Sequence, residues 1–152
     1  MRQPRTDIPA LVLNERNRSR VAYFAADIDR RFAIDNLPDH GDLLANVIRW
    51  AAGGKLPLEV QGPGLLNCEL YQQPSRLILH IVNLTSAGTW RQPVHELIPV
   101  GPLTVKIRVD GIRAKTIQAL VSKEDITPEN NAGWTQFRIP SVLDHEVVVL
   151  EG

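Results

Sequence analysis

The feature that most constrains the fold is a change of hydrophobic period at Gly53-Gly54. Before it, apolar residues recur at helical spacing. After it, apolar and polar residues alternate, most clearly over 103–109. Strict alternation predicts a strand with one buried and one solvated face. Similar short runs follow one another with turn residues between them, at 66–71, 76–84, 112–121, 134–139 and 145–150. The pattern predicts an antiparallel β-sandwich of roughly seven to nine strands after Gly54.

The residues before the change of period predict a small α/β segment. Apolar runs at 10–13 and 20–24 are joined by a polar stretch and predict a strand pair. A helix is expected over about 40–52, with Asp39 as its N-cap and Gly53-Gly54 at its end. Its apolar stripe is Leu43, Leu44, Val47, Ile48 and Ala51. Because two strands and one helix cannot cover both faces of a sheet, we expect this segment to self-associate as a dimer or trimer through residues 8–52.

Charge and composition exclude several classes of partner. Lysine plus arginine and aspartate plus glutamate both number 17, so the chain has no electrostatic footprint for nucleic acid or an anionic membrane. The start, MRQPRTDIPA, lacks the apolar core of a signal peptide, and Cys68 is the single cysteine. We therefore expect a cytoplasmic protein with no cofactor, no metal, no nucleic-acid partner and no membrane partner.

Several segments, taken in order, resemble β-galactosidase-like glycoside hydrolases. SRVAYFAADIDRRF and LPDHGDLLANVIRWAAG resemble the end of the glutamine-amidotransferase-like domain of those proteins. VQGPGLLNCELYQQPSRLILHIVNLT, ELIPVGPLTVKIRV and IPSVLDHEVVVLE resemble the small β-sandwich that closes such chains. The resemblance runs from about residue 10 to residue 151. It implies a remnant of an oligomerising α/β domain at 1–54 and a C-terminal sandwich at 55–152.

The same resemblance implies that this chain is not itself an enzyme. The family's catalytic barrel, with its two carboxylates, is expected N-terminal to Met1. Active relatives of the amidotransferase-like fold use a cysteine at a strand-to-helix elbow, whereas Cys68 stands in an alternating strand pattern. No catalytic residue is carried over.

Asp27 and Asp29 form a tight carboxylate pair, the residue type that glycoside hydrolysis requires. Arg30 can neutralise them locally, so a structural ion pair is the favoured interpretation. A ligand-lining role for Asp27, Asp29 and Arg30 is the alternative.

The connection 85–102 is long for a compact sandwich, and such loops are often functional. It carries a tryptophan with polar neighbours that could stack on and bind a sugar: Trp90, Arg91, Gln92, His95 and Glu96. The favoured alternative is that Trp90 caps the sandwich, because large aromatic side chains usually serve the core. Two functions therefore stay open, a structural accessory region and a carbohydrate-binding module.

The remaining candidates favour structural roles. His80, between apolar neighbours, is expected to be a hydrogen-bonded core residue. Asp144-His145-Glu146 is not expected to bind metal, because neighbours on a strand point to opposite faces. Trp50 and Trp134 are interpreted as packing residues. The predicted buried set is Leu79, Ile81, Val105, Ile107, Val147 and Val149.

Overall fold

A computed structural model describes residues 7–17, 19–35, 37–86, 96–109 and 114–152 of the chain. The chain divides into two compact units, Met1–Leu56 and Pro57–Gly152. The fold is mainly β, with antiparallel sheets and a small α/β part, as the sequence predicts. Neither described helix has the length and apolar composition needed to cross a bilayer.

The first unit begins with an antiparallel strand pair, which confirms the prediction. Strand β1 (Leu11–Arg16) pairs with β2 (Ser19–Phe24). Two helices follow, α1 (Ile28–Asp35) and α2 (Pro38–Ala51). The expectation of a single helix is therefore wrong. Helix α1 is short and polar, and its only apolar pair of helical spacing, Ile28 and Phe32, is too brief to stand out in the sequence.

Helix α2 ends as predicted but begins differently. Its N-cap is Leu37, which has extended backbone and makes no capping hydrogen bond with its side chain, and Pro38 occupies the first turn. Proline suits that position because its missing N–H would be unpaired there anyway. Asp39 is thus not the N-cap, although its carboxylate still lies near the positive end of the helix dipole. At the other end Gly53 has a φ of +63°, the left-handed conformation that glycine favours after a helix.

The second unit is an antiparallel β-sandwich, and its nine described strands agree with the predicted number. The strands are β3 (Leu58–Gln61), β4 (Leu66–Gln73), β5 (Arg76–Asn83), β6 (Leu103–Arg108), β7 (Thr116–Ala119), β8 (Asp125–Ile126), β9 (Glu129–Asn131), β10 (Trp134–Ile139) and β11 (His145–Glu151). One sheet has the order β3-β6-β10-β9 and the other β4-β5-β11-β7-β8. The predicted turn at Asp110-Gly111 lies outside the described residues.

The core lies between these two sheets, and most of the predicted core residues belong to it. Four of them are completely buried: Leu79, Ile81, Val105 and Ile107. The prediction for Val147 and Val149 is wrong, because both are only half-buried while Val148 and Leu150 fill the core. Strand β11 is apolar on both faces, so its sequence does not define which phase points inward. Its register decides, because residues directly opposite in an antiparallel pair share a face, and Val148 lies opposite Leu79.

Candidate functional site

The aspartate pair of the first unit lies at the exposed start of α1. The carboxylate of Asp27 meets the guanidinium of Arg30 at 3.4 Å, and Asp29 lies in the first turn of the helix. The Asp27–Arg30 pair is solvent-exposed, and such pairs contribute little to stability. A ligand-lining role for Asp27, Asp29 and Arg30 stays a prediction.

The predicted sugar-binding loop is described only at its two ends, 85–86 and 96–102. Trp90, Arg91, Gln92 and His95 lie outside the described residues. Glu96 is exposed and directly precedes the isolated bridge between Ser86 and Leu97. Carbohydrate binding through this loop stays a prediction.

His80 is not a core residue, which corrects the expectation. It is exposed on the outer face of β5, where its ring meets Tyr71 edge-on at 5.5 Å between centroids. The run from 76 to 84 is apolar enough to suggest burial on both faces, yet only the face of Leu77, Leu79 and Ile81 enters the core.

Cys68 lies on β4 in the alternating pattern expected from the sequence and packs beside the core. Burial raises the pKa of its thiol. Since the thiolate is the reactive form, the surroundings of Cys68 disfavour nucleophilic chemistry.

Asp144, His145 and Glu146 do not converge on one point, because only Glu146 lies on the buried face of β11. The imidazole Nδ1 of His145 lies 3.0 Å from the exposed carboxylate of Asp144. Glu146 points into the protein instead and is 2% exposed. Among the described residues, no group of three histidine, cysteine or acidic side chains could hold a metal ion.

Glu146 is a buried carboxylate that holds a turn. It accepts hydrogen bonds from the backbone N–H groups of Val121 (2.9 Å), Ser122 (3.0 Å) and Val147 (2.8 Å). Burial acts to raise the pKa of Glu146 and is the largest single influence, but the three N–H donors and the side chain of Ser122 together outweigh it, and the pKa is lowered. The residue is ionised at neutral pH and serves as an acceptor for the turn after β7.

An open cleft of about 340 Å³ lies on the outer face of the four-stranded sheet. Polar side chains line it together with one indole ring. We call this surface the Trp134 face; its residues are Glu59, Lys106, Glu129, Asn131, Ala132, Trp134 and Gln136. An adjoining cleft of about 500 Å³ shares Glu129 and Gln136 with it.

Strand register arranges the Trp134 face in rows. Glu59 on β3 lies opposite Lys106 on β6, which lies opposite Gln136 on β10, which lies opposite Glu129 on β9. In the next row Trp134 stands between Arg108 and Asn131. Residues directly opposite across antiparallel strands share a face.

Arg108 holds one side of the indole of Trp134. Its guanidinium carbon lies 4.9 Å from the ring centroid, within the range of a cation–π contact. The Nε of Arg108 is buried and has no hydrogen-bond partner among the described residues. The sequence interpretation of Trp134 as packing is thus incomplete, because its half-buried ring also lines the cleft. The signal was present in the alternation of 134–139, which puts Trp134, Gln136 and Arg138 on the polar side of the strand.

Comparisons with known proteins identify the fold. No family model and no curated protein matches the chain. Among solved structures the chain is similar to alpha-L-fucosidase isoenzyme 2 from Paenibacillus thiaminolyticus, with a TM-score of 0.73 and 20% identity over 94% of this chain and 22% of that one. A cycloisomaltooligosaccharide glucanotransferase from Paenibacillus sp. matches 61% of this chain and 16% of its own at 13% identity and a TM-score of 0.48. The chain thus spans about a fifth of the fucosidase and shares the fold of that part.

Proposed function

We propose that this chain is a non-catalytic accessory region of a glycoside-hydrolase-like protein, and that it holds subunits together through its first unit. The sequence resemblance to β-galactosidase-like hydrolases supports the glycosidase context. The fold likeness to part of an α-L-fucosidase points in the same direction.

The observation that carries the proposal is the uncovered face of the β1–β2 pair. Val12, Val21 and Tyr23 share this face, and these residues are 45%, 59% and 65% exposed. Val12 lies directly opposite Tyr23, so the two form one apolar patch. On the opposite face Leu11, Ala22 and Phe24 are half-buried, while Leu13 is 49% exposed. Helix α2 packs on β2, and the guanidinium of Arg20 donates to the carbonyl of Trp50 at 3.0 Å.

A second copy of this chain is the occupant that fits the uncovered face. Within the described residues each strand of this two-stranded sheet has one unpaired edge, and open edges pair with other chains. A formal net charge of zero does little to oppose association. Among the described residues of the first unit none is fully buried. Burial of its apolar surface against a second copy would therefore stabilise this unit. A symmetric dimer is the commonest closed arrangement.

The contacts of Asp27 and Glu146 support a structural role for this chain. Asp27 pairs with Arg30, and Glu146 is committed to backbone N–H groups. A general acid in a glycosidase needs a raised pKa, whereas the pKa of Glu146 is lowered.

Light scattering on the purified chain tests the proposal. We expect the mass of a dimer or trimer, and we expect the Val21→Lys/Tyr23→Lys variant to be a monomer. The matched control is Tyr71→Lys, which charges an aromatic residue of the second unit that is 51% exposed and should leave the mass unchanged. A monomeric wild-type chain at every concentration, or an oligomer that survives the double substitution, contradicts the proposal.

A further inference from the structure

We propose that the Trp134 face is a binding site for a neutral oligosaccharide. The site lies on the four-stranded sheet of the second unit and on the turn between β9 and β10. It does not rest on self-association through the first unit, and none of its lining residues belongs to the connection 85–102.

The row of polar side chains suits sugar hydroxyl groups. Glu59 and Glu129 are acceptors, Lys106 is a donor, and the carboxamide of Gln136 is both. One residue comes from each of four neighbouring strands, so the row extends over about 14 Å, three times the spacing between strands. Sugar hydroxyls donate and accept, and they can therefore use every group along this row.

Trp134 supplies the apolar surface that the polar row lacks. A pyranose ring has a face of C–H groups that can lie against an indole, and the half-buried ring of Trp134 lines the cleft beside the row. The contact with Arg108 at 4.9 Å limits the rotation of the indole. Because all the strands are hydrogen-bonded in one sheet, the site is largely formed before any ligand arrives.

The charged groups of the face limit the class of ligand that can bind. Glu59, Lys106 and Glu129 form no ion pair with another described residue. With Arg108 included, the face carries two carboxylates and two cations. This balance gives no attraction for a polyanion, so a neutral glycan is the ligand class that fits.

The geometry favours binding without cleavage. Glu59 and Glu129 stand at opposite ends of the row, with their backbones about 14 Å apart. The two carboxyl groups of a glycosidase lie about 5–9.5 Å apart with one sugar bond between them, whereas here Lys106 and Gln136 stand in the row between the two glutamates.

Titration calorimetry with a panel of neutral hexaoses tests the site: cellohexaose, xylohexaose, mannohexaose and maltohexaose, with oligogalacturonate as the anionic probe. We expect the intact chain to bind at least one neutral hexaose more tightly than oligogalacturonate. Trp134→Ala and the double variant Lys106→Ala/Gln136→Ala should each weaken that binding by about tenfold or more. The control Tyr71→Ala removes an exposed aromatic residue from the outer face of the other sheet and should bind like the wild type.

Several results would contradict the proposal that the Trp134 face binds a neutral oligosaccharide. They are no binding of any neutral hexaose, a preference for oligogalacturonate, binding that survives in the double variant, or binding that only Trp90→Ala abolishes. If Trp134→Ala fails to fold by circular dichroism, the double variant decides, because Lys106 and Gln136 lie outside the core. Light scattering on the double variant should show an unchanged mass, which keeps this outcome separate from that of the association proposal.

Discussion

Two buried polar side chains, Asn83 and Glu146, hold turns and loops to the sandwich. The Nδ2 of Asn83 donates to the carbonyl of Ile98 and to that of Leu143, both at 2.7 Å, and its Oδ1 accepts from the N–H of Thr85 at 2.9 Å. Glu146 serves the turn after β7 in the same way. Buried polar groups are tolerated because they are fully hydrogen-bonded, so the loss of a single partner is expensive.

The substitution Glu146→Gln tests this at one residue. The amide can accept at one position only and turns an N–H toward a backbone N–H, so we expect a loss of about 1–3 kcal/mol in the free energy of unfolding at neutral pH.

The folded-state pKa of Glu146 lies below its ordinary value of 4.5. Its stabilising contribution is therefore complete above that value and is lost as the pH falls through the lowered pKa. In urea titrations from about pH 6 to about pH 3, the free energy of unfolding should fall more steeply for the wild type than for Glu146→Gln. Parallel curves would contradict the role of the carboxylate.

Two neighbouring valines can show which side chains of β11 point into the core. Val148→Ala should cost about 2 kcal/mol, because the lost methyl groups leave a cavity between the sheets. Val149→Ala, at a half-buried position of the same strand, should cost less than half as much. Chemical denaturation measures both. Equal losses would mean that the register of β11 is wrong.

At the scale of elements, the two helices meet closely at Gly41. A Cβ at this position would lie 2.8 Å from the ring of Phe32, closer than real Cβ contacts. Glycine in a helix interior otherwise costs about 1 kcal/mol relative to alanine. We infer that glycine suits position 41 because the ring of Phe32 leaves no room for a Cβ, and not because the backbone there requires glycine.

A double-mutant cycle tests this helix contact. Gly41→Ala alone should fail to stabilise the first unit, because the new methyl group meets the ring of Phe32. In a Phe32→Leu background the same change should be stabilising by about 1 kcal/mol, the difference in helix propensity. Hydrogen exchange of the α2 amides reports the result. A stabilising effect of equal size in both backgrounds would show that the ring is not the reason for glycine.

At the scale of the whole molecule, burial is distributed unevenly between the two units. Every residue of the core cluster lies in Pro57–Gly152, from Leu77 to Leu150. Within its described ranges the first unit has no fully buried side chain, and several of its apolar residues are exposed. Stability should therefore come from the second unit.

Separate expression of the two units tests this distribution. Residues 57–152 should fold alone with a β-type circular dichroism spectrum and a cooperative melt, because they carry their own core. Residues 1–56 should show no cooperative transition at low concentration. A noncooperative 57–152 or a stable monomeric 1–56 would contradict the expectation.

The sequence alone determined those elements whose hydrophobic pattern or end signal lies within a single segment. The alternation at 103–109 predicts β6 and its buried face correctly, because every second residue there is polar. The glycines after α2 predict its end. Only strand pairing decided the phase of β11 and the exposure of His80, because those strands are apolar on both faces. The Trp134 face also depends on tertiary structure, since register brings Glu59 and Glu129 into one row although 70 positions separate them in the chain.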